Sequence, residues 1–430
     1  MAASPTKPYS LAIIGGGISG LSLAIALLQY NIPFTLYESA PRFGEIGAGV
    51  SFGPNAGLAM RLMSPAIFNA FEKCKTENPG SKLDVWFTIR VGDARKADKD
   101  GFVKPGKKVG DELFDVRMPP GRDRGNVHRA TFLNELVKHV PDSNVKFKKR
   151  FKDMHEADDG SGDMVVEFED GSTAQHSAVI GCDGIKSMTR KWLLGKDHPA
   201  ANAVFSGKYS YRGLMSMDDA VELLGDDAAR NSQMYLGYHG HLLTFPIEHG
   251  KIMNVVAFSC RETWDHDNWV ISTSKQSMEA EFDGWGPHVQ KVVKAMQKPD
   301  IWALFMHPPC ETYTKGRVCL VGDAAHASTP HQGAGAGMCM EDIYIMSNLI
   351  KEADSVDDLK KAFTAFDQVR RKRTQENVQR SYENGKMYDF EQYGDDLDRI
   401  EKAYSEKMKW VWDIDLEAQL AQAKKIMREQ

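Results

Sequence analysis

The chain opens with a short apolar run followed by closely spaced glycines. Residues 11–14 are all apolar, which is typical of a buried parallel strand, and the apolar residues 21–28 predict a helix. Between these two runs, Gly15, Gly17 and Gly20 have G-x-G-x-x-G spacing. The beginning of the chain therefore has the strand–turn–helix pattern of a phosphate-binding unit.

Each glycine in this spacing has a physical reason. Gly15 permits a tight turn, Gly17 lets a pyrophosphate approach the backbone, and Gly20 lets the helix pack closely against the strand. The helix N-terminus offers unpaired N–H groups to the phosphates. A second apolar run, 33–37, ends in Glu38, at the spacing where an acidic residue binds a ribose hydroxyl. The pattern predicts a dinucleotide-binding βαβ unit.

The rest of the pattern divides into a polar segment, a strand-rich segment and a helical C-terminal part. Residues 77–126 are rich in Gly, Pro, Lys and Asp and predict a long excursion from the nucleotide-binding fold. Predicted strands lie at 145–148, 164–168, 178–181, 209–215, 233–237, 241–246, 252–258 and 318–322, with a hairpin turn at 169–171. One predicted helix begins at residues 128–129, and four others span 217–224, 337–351, 356–387 and 397–428.

Composition and charge narrow the function classes. The 430 residues suffice for two domains, and 42% are hydrophobic and 26% charged. A net charge of −5 gives no electrostatic case for binding nucleic acid. The long apolar stretch 11–28 contains four glycines and two serines, so no membrane span is predicted. Since neither a secretory signal nor a peroxisomal tripeptide is apparent, we expect a cytoplasmic protein.

The cysteines and histidines do not predict a metal site. The six cysteines are scattered, none forms C-x-x-C, and no Cys/His group has zinc spacing, so reduced buried thiols are expected. His239 and His241 alternate on a predicted strand without a third ligand nearby. We interpret both as histidines on the strand surface.

A second motif follows a core strand at residues 181–190. Asp183 and Gly184 form a turn between a strand and a helix, where the carboxylate can lie beside a phosphate-bearing ligand and a nearby arginine. By itself, an Asp-Gly pair is a common loop sequence, and its position between strand and helix is what suggests a role.

A third motif is the most specific of the set. The strand at 318–322 is followed by Asp323, whose carboxylate can accept hydrogen bonds from a ribitol hydroxyl. Gly333, Gly335 and Gly337 then precede a helix, so that backbone N–H groups and the helix dipole can stabilise negative charge at the edge of a flat ring. A reduced flavin carries such a charge at its N1–C2=O edge.

In this order, the three motifs resemble those of the single-component FAD-dependent aromatic hydroxylases, the group A flavoprotein monooxygenases. The resemblance spans nearly the whole chain. Residues 323–327 and 330–337 resemble the salicylate hydroxylase subgroup, and fungal hydroxylases that act on polyketide phenols are similar. The stretch Glu-Ile-Gly-Ala-Gly at 45–49 resembles the segment that these enzymes use near FAD.

The resemblance implies an α/β fold with a Rossmann-like FAD-binding domain of the GR2 type, an inserted mixed β-sheet substrate domain and C-terminal helices. The predicted boundaries are 1–76, 127–200 and 310–355 for the discontinuous FAD-binding domain, 77–126 for the excursion, 201–309 for the substrate domain and 356–430 for the C-terminal helices.

The resemblance also implies how the cofactors bind. Glu38 would hold the adenosine ribose, Asp323 the ribitol, and Arg129 would reach FAD from the helix after the excursion. NAD(P)H is the implied co-substrate, bound transiently because there is no second Rossmann fingerprint. The residues implied to bind FAD are Gly15, Gly17, Gly20, Glu38, Ala48, Gly49, Arg129, Asp183, Asp323, Gly335, Ala336 and Gly337.

The implied reaction uses NAD(P)H and O₂ to hydroxylate a small phenol through a flavin C4a-hydroperoxide. Because a phenolate reacts faster than a phenol, the site needs a proton acceptor and a dry pocket. We predict His331 as a substrate contact, with a structural role in its loop as the alternative. Arg212 is predicted to clamp a carboxylate or phenolate, with a domain-seam salt bridge as the alternative. Tyr235 is the third predicted catalytic residue.

Three functions remain open at this point. Dearomatising fungal members carry Tyr before the Pro at the end of the pocket strand, where this chain has Phe245. The lost hydroxyl favours a salicylate-type enzyme, with or without decarboxylation. The alternatives are a dearomatising phenol hydroxylase of polyketide metabolism and a flavin-binding protein without catalysis.

Overall fold

A computed structural model describes residues 7–44 and 49–430. The strands are β1 (Leu11–Ile14), β2 (Phe34–Tyr37), β3 (Gly49–Phe52), β4 (Val85–Val91), β5 (Phe102–Lys104), β6 (Lys107–Lys108), β7 (Glu112–Arg117), β8 (Gly125–His128), β9 (Val145–Lys146), β10 (Phe151–Glu156), β11 (Met164–Phe168), β12 (Thr173–His176), β13 (Ala178–Gly181), β14 (Val204–Ser216), β15 (Gln233–Gly237), β16 (Gly240–Ile247), β17 (Ile252–Cys260), β18 (Val270–Ser272), β19 (Asp300–Met306), β20 (Thr314–Lys315) and β21 (Val318–Leu320).

The α-helices are α1 (Ile18–Leu28), α2 (Pro54–Met63), α3 (Pro65–Cys74), α4 (Arg129–Val137), α5 (Met188–Leu194), α6 (Met217–Leu224), α7 (Asp226–Arg230), α8 (Lys275–Glu281), α9 (Pro287–Ala295), α10 (Asp323–His326), α11 (Gly335–Glu352), α12 (Val356–Tyr388), α13 (Leu397–Trp412) and α14 (Leu416–Arg428). None of the helices in the described part of the chain is both long and apolar enough to cross a bilayer.

The first sheet contains the predicted βαβ unit. Its six strands have the order β20-β21-β13-β1-β2-β9, and all neighbours are parallel except the edge pair β20 and β21. Every residue of β1 and β13 is buried, as expected for parallel strands covered on both faces. The predicted strands 11–14, 164–168 and 178–181 and the hairpin between β11 and β12 are confirmed.

The second sheet is mixed, with the order β18-β19-β14-β17-β16-β15-β4-β7. Only β15 and β4 are parallel neighbours. Two of its strands, β4 and β7, come from residues 77–126, where the sequence predicted an excursion without a core strand. The segment Val85–Val91 is fully buried. The sequence did not predict this strand because its apolar run is short and has polar segments on both sides.

The two faces of this sheet pack against different partners. On the outer face, side chains such as Tyr211, Tyr235 and Val255 share a core with helices α6 to α9. On the inner face, Trp86, Phe245 and Leu236 share a core with Met338 of α11 and with α13. Since neighbouring residues of a strand point to opposite faces, the register decides which side chains can meet the first sheet and its loops.

The C-terminal helical region differs from the prediction in one respect. The stretch 397–428 is two helices, α13 and α14, rather than one. The break occurs because Asp415 is the N-cap of α14, and its carboxylate accepts a hydrogen bond from the N–H of Ala418. Because residues 410–412 and Leu416 are apolar on both sides of the break, the sequence pattern looks like that of one continuous helix.

A buried ion network holds α11 against α12. The Arg370 guanidinium donates to Asp342 Oδ1 at 2.8 Å and to Glu341 Oε2 at 2.7 Å, and all three side chains are fully buried. Asp342 Oδ2 also accepts hydrogen bonds from the N–H of Gly322 and from the His326 ring. The network therefore ties the loop after β21 to both helices.

Arg370→Met should destabilise the fold by about 3–5 kcal/mol, because the buried Asp342 loses its arginine and keeps only His326 and a backbone N–H, while Glu341 keeps Arg373 and Asn55. Arg371→Met is the matched control, since Arg371 is partly exposed and, among the residues that the structure describes, pairs only with Asp367 on its own helix. The control should cost less than about 1 kcal/mol. Urea unfolding of both variants measures the difference, and equal losses would contradict this interpretation of the network.

Candidate active site

The turn between β1 and α1 has the geometry that its glycines require. Gly15 has φ +107°, a conformation that favours glycine. A Cβ on Gly20 would lie 1.9 Å from the carbonyl oxygen of Gly15, so the helix can pack this closely only without a side chain. Around Gly17, by contrast, no heavy atom of the described residues, apart from its chain neighbours and its own helix, lies within 4 Å of the position that a Cβ would take. The open space lies at the N-terminus of α1, which has no side-chain cap.

Glu38 joins the end of β2 to this turn. Its carboxylate accepts hydrogen bonds from the N–H of Gly16 at 2.8 Å and of Ala40 at 2.7 Å. The carboxylate is therefore held beside the glycine turn, where the sequence placed it.

The third motif forms a second helix N-terminus of the same kind. Asp323 is exposed just after β21, and α11 begins at Gly335 with Ala334 as an N-cap that offers no side-chain hydrogen bond. Gly337 lies close to Asn55, whose amide would be 3.0 Å from an added Cβ. The first turn of α11 carries no acidic side chain, so its N–H groups can stabilise negative charge on a ligand.

Asp183 has a different environment from the one predicted. Its carboxylate accepts hydrogen bonds from the hydroxyls of Ser187 and Thr189, both at 2.6 Å, and from the N–H groups of Met188 and Thr189. The buried Arg190 donates to the backbone carbonyls of Ala200, Ala324, Pro308 and, at 2.5 Å, Ala325. The structure thus shows both side chains organising their own loop.

The inner face of the second sheet presents three rows of side chains between the two motifs. Register places Arg212, Val256 and Leu243 in the middle row. The row on one side holds Ser210, Phe258 and His241, and the row on the other holds Leu214, Asn254 and Phe245. Rows on one face are about 7 Å apart, which is close to the width of a substituted benzene ring.

Loops of the nucleotide-binding sheet close this face at two points. The N–H of Gly49 donates to Asn254 Oδ1 at 2.9 Å, and a Cβ on Gly49 would lie 2.4 Å from the Phe245 ring. At the other side, the ring of His331 lies 5.0 Å from that of Phe258. The middle row, with Arg212, is therefore flanked by the segment after residue 48 and by the loop before α11.

Several polar atoms on this face are buried without a hydrogen-bond partner among the described residues. They are Oγ of Ser210, Nδ2 of Asn254, Nε2 of His241 and both ring nitrogens of His331. Because burying an unpaired polar group is costly, such a cluster around one space points to a ligand that supplies the partners. The two apolar side chains of the middle row, Val256 and Leu243, suit an aromatic ligand.

Comparison with known proteins agrees with this geometry. A family model described as an FAD binding domain matches residues 251–381, and one described as an NAD(P)-binding Rossmann-like domain matches residues 13–63. The 6-methylsalicylate 1-monooxygenase of Aspergillus terreus is 41% identical over 418 residues, covering 95% of this chain and 90% of that protein. This chain belongs to the FAD-dependent monooxygenases.

Two further relatives support the same assignment. A salicylate hydroxylase of Pseudomonas putida is 35% identical over 432 residues, covering 96% of this chain and 94% of that protein. The solved structure of a salicylate hydroxylase substrate complex has a TM-score of 0.83 at 31% identity and covers 97% of this chain and 98% of that one. The predicted family, α/β fold and FAD-dependent monooxygenase activity are confirmed.

The monooxygenase uses FAD as its cofactor and NAD(P)H as its co-substrate. The residues present fit FAD, because two uncapped helix N-termini and the open space at Gly17 lie where the sequence motifs predict its phosphates and ring. We propose that Gly15, Gly17 and Gly20 would hold the pyrophosphate, and that Gly335, Ala336 and Gly337 would lie at the flavin edge. Ala48 lies outside the described residues.

Arg212 has a lowered pKa and no anionic partner among the described residues of the monooxygenase. Burial and the nearby charge of Arg129 lower the pKa of Arg212 to about 10, so it remains a cation at neutral pH. Its guanidinium lies 4.8 Å from the centroid of the Trp302 ring and has no ion pair or hydrogen bond within the described ranges. The alternative of a salt bridge at the domain seam therefore has no observed partner.

His331 is buried and neutral. Desolvation, with the neighbouring His241 and Lys208, holds the pKa of the His331 imidazole well below its usual range. The Tyr388 hydroxyl donates to the backbone carbonyl of His331, which fixes the loop and leaves the ring nitrogens available.

Two sequence interpretations of this sheet are corrected. Tyr235 lies on the outer face, fully buried among residues of the α6–α9 core, so it cannot reach the side on which Arg212 and His331 lie. His241 is not on the surface but fully buried on the inner face, stacked on Phe258, whereas His239 is exposed in the turn between β15 and β16. The alternation of 241, 243 and 245 was the signal for this placement.

Proposed function

We propose that this monooxygenase hydroxylates a 2-hydroxybenzoate of the salicylate or 6-methylsalicylate type, with loss of the carboxyl group as CO₂. The observation that carries the proposal is the Arg212 guanidinium, which lies in the middle row of an aromatic-lined face without an anionic partner in the part of the chain that the structure describes. Names of relatives that act on salicylate and 6-methylsalicylate support the same substrate class.

A carboxylate is the ligand that this cation favours. A cation withdrawn from water is unfavourable until an anion pairs with it, and the planar guanidinium binds a carboxylate through two parallel hydrogen bonds. The aromatic ring of the substrate would lie on Val256 and Leu243 in the same row. Binding would thus remove the unpaired charge and bury apolar surface together.

The phenolic proton needs an acceptor in this dry environment. His331 is neutral, and both of its ring nitrogens are unpaired, so it can accept a hydrogen bond or the proton itself. FAD, when bound, supplies the oxygen activation that makes hydroxylation of the phenolate possible. The chain's own contribution is to hold the ring between Arg212 and His331 and to exclude water.

Phe245 supports a salicylate-type substrate over dearomatisation. Its ring lies in the third row against Gly49 and Phe87, and it has no hydroxyl with which to bind a phenolate. Arg212 and His331 are then the polar contacts that we propose for the substrate.

Substrate-stimulated oxidation of NAD(P)H tests the proposal. Salicylate and 6-methylsalicylate should give a kcat/KM at least about 30-fold above phenol, which lacks the carboxylate, because a buried charge pair is worth roughly 2–5 kcal/mol. Benzoate should bind without being hydroxylated. Equal turnover of phenol, or preferential turnover of neutral phenolic aldehydes to dearomatised products, would overturn it in favour of the polyketide-type hydroxylase.

Two sequence predictions are kept as proposals. We propose a cytoplasmic location, which the six free cysteines support. We also propose the domain boundaries 1–76, 127–200 and 310–355, 201–309 and 356–430, with the segment 77–126 contributing β4 and β7 to the substrate-domain sheet.

A further inference from the structure

A buried, hydrogen-bonded pair of side chains, His241 and Asp389, lies next to His331. His241 Nδ1 is 2.6 Å from Asp389 Oδ1, and both side chains are fully buried. The centroid of the His241 ring is 5.2 Å from that of His331. Thus Asp389, His241 and His331 lie side by side from the end of α12 to the candidate active site, with a hydrogen bond between the first two and ring proximity, but no hydrogen bond, between the last two.

The hydrogen bond to Asp389 determines the tautomer of His241. The pKa of Asp389 is held well below its usual range, chiefly by His241 and Lys208 against the effect of burial, so its carboxylate can only accept. Nδ1 of His241 must therefore carry the proton. Nε2 is then a bare lone pair, buried without a partner among the described residues.

On its other side, Asp389 connects to the molecular surface. Lys208 forms a short ion pair with Asp389 and donates to Glu391 at 3.1 Å. Lys208 and Glu391 line a surface pocket of about 410 Å³, together with Cys260, Arg261 and Lys386. Cys260, Asp389 and Glu391 are close enough to bind a metal ion, but the Lys208 ammonium occupies the space between them.

The charges of this cluster are arranged to receive one proton. Lys208 is a cation, Asp389 and Glu391 are anions, and burial keeps His241 neutral and raises the pKa of the Cys260 thiol. Tyr388, which faces the His241 ring from α12, is neutral because burial raises its pKa well above the usual range. Lys208, Asp389 and Glu391 together carry one excess negative charge, which protonation of His241 would cancel, while the cations Arg261 and Lys386 line the pocket outside this hydrogen-bonded group.

The monooxygenase reaction requires such a path. NAD(P)H, O₂, an aromatic substrate and one proton give NAD(P)⁺, water and the hydroxylated product, so a proton must enter a site that excludes water. We propose that His241 and Asp389 form a proton relay between His331 and the surface pocket, with Asp389 as the residue that positions His241. The inference rests on the family activity and does not need the substrate proposed above.

The relay moves only protons. The phenolic proton passes to His331 and, once a His331 ring nitrogen comes within hydrogen-bond distance of it, to Nε2 of His241. The Nδ1 proton of His241 then passes to Asp389 and, through Lys208 and Glu391, to water in the pocket. The reverse sequence returns a proton to the site and restores the resting tautomer. No bond other than N–H and O–H changes, and no electron is transferred.

Charge-changing variants should shift the pH dependence of kcat in opposite directions. In Asp389→Asn, His241 keeps a hydrogen-bond acceptor but loses its counter-charge, so its pKa should fall. The acid limb of the kcat–pH profile should therefore move to lower pH by about one unit or more. The plateau kcat should fall about 100-fold with little change in KM. Lys208→Gln should move the acid limb up, and Glu391→Gln should move it down by less than Asp389→Asn, because Glu391 is exposed.

Glu383→Gln is the matched control, since this carboxylate lies on α12 but pairs with Lys407, away from the relay. It should leave the profile unchanged. Shifts of one sign in all the variants, or no shift in Asp389→Asn, would overturn the relay. If Lys208→Gln does not fold, the other two variants test the relay. The acid limb should then move to lower pH further in Asp389→Asn than in Glu391→Gln, and the reverse order would overturn the relay.

A measurement without turnover separates this inference from the substrate proposal. ¹⁵N-histidine NMR of the FAD-loaded enzyme should show His241 as the Nδ1–H tautomer in wild type, with a pKa that falls in Asp389→Asn. An Nε2–H tautomer, or a pKa insensitive to Asp389, would overturn the inference even if 6-methylsalicylate is turned over. The expected tautomer would support it even if that substrate is rejected.

Discussion

Gly17→Val should give a folded protein that does not retain FAD. A valine side chain would extend into the open space beside the N-terminus of α1, where we propose the pyrophosphate, since a Cβ at Gly17 would have no described atom beyond its chain neighbours and its own helix within 4 Å. The thermal midpoint of the apoprotein should match that of wild-type apoprotein. The purified variant should be colourless and should not oxidise NAD(P)H with any substrate.

Gly20→Ala is the informative comparison, because the same loop is changed with a smaller group. Its methyl group would overlap the carbonyl oxygen of Gly15, so the strand–helix packing must shift, at a cost of about 1–3 kcal/mol or more. We therefore expect Gly20→Ala to lower the stability of the fold and Gly17→Val to abolish FAD binding. A yellow, active Gly17→Val enzyme would contradict the assignment of the pyrophosphate.

Arg212→Gln should lower kcat/KM for salicylate by about 100-fold, because the substrate carboxylate then enters a buried site without its cation. Turnover of phenol, which has no carboxylate, should change little. The FAD content should stay the same, and the thermal midpoint should change little, since the partly buried Arg212 forms no ion pair among the described residues that the substitution would remove. Steady-state kinetics with both substrates measures the contrast.

Arg230→Gln provides a control for the loss of an arginine in the same region. Arg230 pairs with Asp226 on the partly exposed helix α7, on the outer side of the sheet, and should leave both substrates unaffected. A uniform loss for salicylate and phenol in Arg212→Gln would show that Arg212 supports the fold of the site and does not bind the carboxylate.

The nucleotide-binding part could be predicted from the sequence because its signals are local. An apolar strand, three spaced glycines and an acidic residue at the end of the next strand all lie within residues 11–38, and the structure places them together. The strand 233–237 and the helix 217–224 were likewise predicted to the residue.

The substrate face was harder to predict because it depends on pairings between distant strands. Tyr235 was assigned to the wrong face, since alternation within one strand does not reveal which side the neighbouring sheet will cover. His241 was taken for a surface residue because its partner, Asp389, is 148 positions away at the end of another element. Only the assembled sheet brings His241, His331 and Asp389 together.

The most direct test of the account is one isotope experiment with carboxyl-labelled 6-methylsalicylate. The FAD-loaded enzyme is supplied with NAD(P)H and ¹⁸O₂, and the products are identified by mass spectrometry. The product should be a decarboxylated dihydroxybenzene that contains one ¹⁸O atom, and the labelled carbon should be released as CO₂ in equal amount. A hydroxylated product that keeps the labelled carboxyl group, or NAD(P)H oxidation that yields only hydrogen peroxide, would contradict it.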